Sequence, residues 1–143
     1  MSTEENKALV RRLLEEFNKH NMAGVEELAA PDWVFHGPGV VGDTHLAGLE
    51  PMGRAFLTAF PDAHWAMEDM ITEGDKVAYR CTFRGTHQGE FMGIPPTGKV
   101  VTYMCIYIDR FAGGKWVEEW GSIDLLGLMQ QLGAIPQMAQ TGA

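Results

Sequence analysis

Apolar residues recur at helical spacing in the first part of the chain and at every second position further on. Val10, Leu13, Leu14 and Phe17 fall on one face of a 3.6-residue period, with Glu15, Glu16 and Lys19 off that stripe, which predicts an amphipathic N-terminal helix. Ser2-Thr3-Glu4-Glu5 precedes it with capping-box spacing, Ser2 as N-cap and Glu5 as its reciprocal partner. A short second helix is expected over residues 23–29, and Trp33-Val34-Phe35-His36 reads as a short strand ended by Gly37-Pro38-Gly39. Leu49, Met52, Phe56, Ala59 and Phe60 form a third helical stripe, stopped by Pro61.

From Ala63 the period changes to two. Residues 63–72 and 76–84 flank Glu73-Gly74-Asp75, a short hairpin loop. Pairing Thr72 with Lys76 sets Trp65 opposite Phe83, Met67 opposite Cys81 and Ile71 opposite Val77 on an inner face, where Asp69 opposite Tyr79 is the polar exception. Glu68 opposite Arg80 and His64 opposite Arg84 then form an outer face. A second hairpin joins residues 100–111 and 116–124 through Ala112-Gly113-Gly114-Lys115. Pairing Phe111 with Trp116 places Tyr107 opposite Trp120, Cys105 opposite Ser122 and Tyr103 opposite Asp124, all on one face. A closing helix is expected over residues 125–132, stopped by Gly133. Helices first and antiparallel strands after predict an α+β fold, a strongly curved, mostly antiparallel sheet wrapped on an N-terminal helical layer. One domain is expected over residues 1–143, with 136–143 as a flexible tail.

The net charge of −8, with only 11 Lys plus Arg, argues against nucleic acid and anionic lipid surfaces as partners. No apolar run is long enough to span a bilayer, and Met1-Ser2-Thr3-Glu4-Glu5 lacks signal-peptide character, so a cytoplasmic location is expected. Cys81 and Cys105 lie in strand patterns and read as buried thiols, and no ligand spacing for a metal is present.

Chemistry is expected where the Gly/Pro-rich excursion over residues 85–99 joins two apolar strands and the last strand delivers Asp124 near Trp120. A carboxylate desolvated among aromatics has a raised pKa and suits acid/base work. The alternative for Asp124 is the N-cap of the closing helix, since it stands directly before Leu125. Trp33, Tyr103, Cys105, Trp120, Tyr79 and Phe56 are expected to line the hollow. Tyr107 or Tyr103 would donate to a developing enolate oxygen, and His36 would relay a proton or orient a carbonyl. His87 is read as fixing its loop by hydrogen bonds. Neither a Gly-x-Ser-x-Gly elbow nor a phosphate or dinucleotide fingerprint is present.

A set of short motifs then stands out: Gly74-Asp75-Lys76-Val77, Arg84-Gly85-Thr86-His87-Gln88-Gly89, Met92-Gly93-Ile94-Pro95-Pro96-Thr97-Gly98, Gly114-Lys115, Glu119-Trp120, Asp124 and Gln131-Leu132-Gly133. Together they resemble the SnoaL-like polyketide cyclase family of the nuclear-transport-factor-like fold. The resemblance implies a cone-shaped barrel, a homodimer or higher homo-oligomer, and no cofactor. It also implies intramolecular aldol closure of a polyketide ester, with the acid matching Asp124 as acid/base group. In that alignment Tyr107 and Cys105 stand near a His and a Gln of the anthracycline cyclases, which makes this pocket less polar. The expected ligand is a small hydrophobic carbonyl compound. Isomerases, dehydratases, epoxide hydrolases and non-enzymatic binders share the cone and remain alternatives.

Overall fold

The computed structural model describes residues 2–37 and 42–136. The expected tail and the end of the Gly37-Pro38-Gly39 turn lie outside the described residues. The capping box forms: Glu5 N donates to Ser2 Oγ at 3.1 Å, and Ser2 Oγ donates to Glu5 Oε1 at 3.1 Å. It opens α1 (Thr3–Asn18), whose buried face is Asn6, Val10 and Leu13. The remaining elements are α2 (Met22–Leu28), β1 (Ala29–His36), β2 (Asp43–His45), α3 (Leu46–Ala59), β3 (His64–Glu73), β4 (Lys76–Thr86), β5 (Val100–Ala112), β6 (Lys115–Ile123) and α4 (Leu125–Leu132). β1 starts four residues earlier than its aromatic run suggested, because Ala29 already pairs with Trp116 of β6.

The strands form one sheet in the order β2-β1-β6-β5-β4-β3, antiparallel throughout except for the parallel β1–β6 pair. Its inner face carries Val77, Cys81 and Phe83 of β4 with Val101, Tyr103 and Cys105 of β5, packed with Val10, Val25, Leu49, Phe60 and Leu128 of the helices. This is the α+β curled-sheet architecture the pattern predicted.

Two one-residue bulges separate the real registers from the ideal ones. In β3–β4 the expected pairs hold at Trp65↔Phe83 and Met67↔Cys81, then shift so that Asp69 faces Arg80 and Met70 faces Tyr79. Asp69 is therefore not an inner acid; it is exposed and pairs with Arg80 at 3.2 Å, in place of the expected Glu68. Ile71, expected in the core, is 72 % exposed. In β5–β6 the turn pair Phe111↔Trp116 is as expected, but a bulge beyond it gives Arg110↔Glu118, Asp109↔Glu119 and Ile108↔Trp120. One extra residue exchanges the two faces of β6.

The 85–99 excursion is tied down by His87, which is fully buried. Thr97 N donates to His87 Nδ1 at 3.1 Å, while the His87 backbone bonds Lys99 O and Gly98 N. The histidine is thus structural, as expected from its motif.

At the sheet edge, Asn18 acts as a one-residue strand. Its Nδ2 donates to Trp65 O at 2.9 Å and its Oδ1 accepts from Trp65 N at 2.8 Å. Asn18→Ala leaves both backbone groups of β3 without this partner and is expected to cost about 1–3 kcal/mol of unfolding free energy in urea titrations. Asn18→Asp, which keeps the acceptor and loses the donor, should fall between that variant and the parent.

Candidate active site

The β5 inner row reads Val101, Tyr103, Cys105, Tyr107, Asp109, Phe111, so alternation alone carries a carboxyl group into the interior at Asp109. The bulge then turns Glu119 of β6 inward to face it. Tyr79 completes the cluster from β4. Its hydroxyl donates to Asp109 Oδ2 at 2.8 Å and lies 3.3 Å from Glu119 Oε2. Asp109 is wholly buried and Glu119 is 8 % exposed.

Two carboxyl groups this close and this dry cannot both ionise cheaply. Burial pushes Asp109 up to about 6, and the neighbouring donors, among them the Tyr79 hydroxyl at 2.8 Å, hold it from rising further. Glu119 is pushed up further, first by burial and then by the charge on Asp109. Both shifts favour a single proton shared by the pair near neutral pH. Tyr79 and Tyr107, with rings 5.5 Å apart, are pushed well above the usual phenol range by burial, so both stay hydroxyl donors.

The expected site residues divide into two groups. Trp33, Tyr79, Tyr103, Cys105, Tyr107 and Phe56 do come together on the inner face or against it. Phe83 stacks on Tyr103 at 4.6 Å, and Phe56 packs edge-on to Phe83. Burial pushes the thiols of Cys81 and Cys105 to about 12 and about 11, which makes them inert apolar wall.

Asp124, Trp120 and His36 do not join them. Asp124 is exposed and accepts from Gly127 N at 2.9 Å, which makes it the N-cap of α4 and not a pocket acid. Trp120 is turned to the outer face by the β6 bulge, where it stacks on His36 at 5.2 Å. His36 Nε2 lies 2.7 Å from Glu118 Oε2, and its Nδ1 lies 3.3 Å from Asp43 Oδ1. Arg110 Nε donates to the other Glu118 oxygen at 2.8 Å. Hydrogen bonding to Glu118 raises the His36 pKa, so the imidazole serves an outer ion network that clamps β1, β6 and β5 together.

The acid pair itself was missed by the ideal pairing, which assigned the inner place to Trp120 and Asp124. The signal for Asp109 was available, since it continues the Tyr103-Cys105-Tyr107 row by two. No group of three His, Cys, Asp or Glu side chains suited to a metal occurs among the described residues, and no described helix is long and apolar enough to cross a membrane. The two grooves, about 460 Å³ beside Met22 and Arg54 and about 560 Å³ beside Trp65, open on the surface away from the pair.

Because both acids keep protons to higher pH folded than unfolded, the folded state binds more protons in that window. Unfolding free energy should therefore fall as pH rises from about 4 through about 6, at up to about 1.4 kcal/mol per pH unit per proton. His36 adds a later loss above its unfolded pKa, since its folded pKa is raised. Urea titrations across pH 4.5–7.5 check this, and the Asp109→Asn/Glu119→Gln variant should lose the lower part of the slope.

Comparison with known proteins agrees with this architecture. Aklanonic acid methyl ester cyclase AcmA of Streptomyces galilaeus is 29% identical over 130 residues, covering 88% of this chain and 89% of AcmA. Among solved structures, AclR of Streptomyces galilaeus, a proposed hydroxylase, superposes with a TM-score of 0.89 at 33% identity, covering 97% of this chain and 87% of AclR. IdmH of Streptomyces antibioticus, a proposed polyketide cyclase, gives a TM-score of 0.80 at 34% identity over 90% of this chain and 98% of IdmH. The family model for SnoaL-like polyketide cyclase matches residues 7–132, and with the curled sheet and its enclosed acids in place, the chain belongs to that enzyme family.

Proposed function

We propose that the protein closes a ring in a hydrophobic polyketide-type carbonyl compound by intramolecular aldol addition, without a cofactor, using the Asp109–Glu119 pair as its acid/base unit. The observation that carries this reading is the buried carboxyl pair, Asp109 opposite Glu119 across β5 and β6, with the Tyr79 hydroxyl 2.8 Å from the first and 3.3 Å from the second. A carbon flanked by two carbonyls is already fairly acidic, so one positioned base and one acid suffice once the substrate is folded. The pair takes the proton from that carbon, and the resulting enolate carbon attacks the second carbonyl. The pair's other proton goes to the new alkoxide oxygen, which leaves the pair with the one proton and one charge it began with. Tyr107, partly buried on the inner row between Cys105 and Asp109, would donate to the enolate oxygen. The described conformation is closed over the acids, so the reading requires Tyr107 and Phe35, which flank Gly121, to part for the substrate.

A second copy of the chain is the proposed partner, docked on the outer sheet face. Met104, Ile106 and Ile108 make an exposed apolar row along β5. Arg80 and Arg84 flank it on β4, and Glu118 and Asp43 flank it across β6, β1 and β2. A two-fold axis along β5 would lay each basic flank on the partner's acidic one.

Ring closure leaves the mass of the substrate unchanged, so turnover of diketo methyl esters is read as a new chromatographic peak of equal mass. Glu119→Gln and Asp109→Asn should each lower turnover about 100-fold or more, and Tyr79→Phe less. Asp124→Asn, which keeps a capping side chain, should leave it unchanged. The pH–rate profile should rise through about 6 and fall again at higher pH, as first Asp109 and then Glu119 loses its proton. Loss of turnover in Asp124→Asn with activity retained in both acid variants would overturn the assignment. In sedimentation experiments Ile106→Glu should convert a dimer to a monomer, and a parent that already sediments as a monomer would refute the docking face.

A further inference from the structure

The geometry points to Trp116 as the positioning residue that decides which member of the carboxyl pair holds the proton. Its catalytic consequence rests on the proposed acid/base reading, while its electrostatic effect does not. Trp116 is the second residue of β6, paired with Phe111 just before the bulge, and it is 1 % exposed. Its indole N–H is close enough to Asp109 to favour the charged carboxylate. Trp116 Nε1 and Asp109 Oδ1 are nevertheless both buried without a partner of full hydrogen-bond geometry. The register sets Trp116, opposite Phe111, diagonal to Asp109 on the same inner face, and a buried lone donor and lone acceptor so placed are satisfied together by a small approach or a single bridging water.

The donors are unequally shared between the two acids. Asp109 Oδ2 takes the Tyr79 hydroxyl at 2.8 Å, its buried Oδ1 is free to accept, and Trp116 favours its charged form. Glu119 has only the longer 3.3 Å contact with Tyr79. Donors stabilise the charged form of the carboxyl group they reach. Asp109 is thus held as the carboxylate, and Glu119, the member with residual exposure, keeps the proton it would give to substrate.

No other charge competes for this decision. Among the described residues the titratable groups facing Asp109 are Tyr79 and Cys81 from β4 and Glu119 from β6, with Tyr107 and Cys105 on its own strand. β1 brings Trp33 and Phe35, and the buried faces of α1, α2, α3 and α4 carry no ionisable side chain. Trp33 makes a useful control, because its indole is also buried and unpartnered and touches Trp116 edge-on at 5.0 Å.

The test is a carbon-13 NMR titration of the Asp and Glu carboxyls in the full chain, with the Trp116 indole resonance followed in parallel. Trp116→Phe keeps the ring and removes the N–H, so the Asp109 midpoint should rise by about half a pH unit or more. Trp33→Phe should leave that midpoint in place. In the parent, the Trp116 indole resonance should shift with the midpoint of Asp109. An Asp109 midpoint unmoved in Trp116→Phe overturns the proposal. Should that variant not fold, an indole resonance in the parent that stays flat across the titration overturns it equally. If Glu119→Gln and Asp109→Asn retain turnover while the midpoint still shifts, the catalytic reading fails and the positioning role stands.

Discussion

Two carboxyl groups enclosed by aromatic and aliphatic walls have to share a proton, because taking two like charges out of water and holding them in each other's field is too costly. That constraint organises the interior around Asp109 and Glu119. Burial first, and the charge of the pair after it, keeps the Tyr79 hydroxyl and the Cys81 thiol protonated, while burial keeps Cys105 neutral. The strands on either side must then be rigid enough to hold an unfavourable burial. The His36–Glu118–Arg110 network does this from outside, tying β1, β6 and β5 at the level where the acids point inward. The buried acids and the outer ion network thus sit back to back on the same few residues of one hairpin.

Much of the fold was legible in the sequence because its signals are local. The capping box at Ser2, the closing helix over Leu125–Leu132 and its left-handed stop at Gly133 need only neighbouring residues. The hairpin turns were legible for the same reason, and so were the pairs nearest the second turn. The inner aromatic wall followed from alternation within single strands, which does not depend on the partner.

The acid site was only half legible. Asp109 lies in an unbroken inner row and needed no pairing to be found. Glu119 depends on the bulge between Arg110 and Phe111, and the run Trp116-Val117-Glu118-Glu119-Trp120 offers two equally reasonable phases. Tryptophan favours burial, so the simpler phase puts Trp120 inside; the real one lets it cover His36 instead. Asp124 was a fair reading on residue type, yet a carboxylate directly before a helix finds its backbone amides at hand and has no reason to enter an apolar hollow. The family resemblance gave the architecture correctly, and the acid it pointed to, Asp124, stands exposed at the N-cap of α4, because a shared scaffold does not fix the setting of single side chains.

The extra residue in β6 has an evolutionary reading. Losing it, Val117, would leave Trp116 opposite Phe111 and Glu119 opposite Asp109 in regular alternation, so the acids would keep their inward places. A slip of the pairing at constant length would instead bring Glu118 and Trp120 inward and send Glu119 to the surface. Lineages built on this scaffold thus have a route to new chemistry through the phase of one hairpin, and alignments blind to such slips pair residues that never occupy the same place.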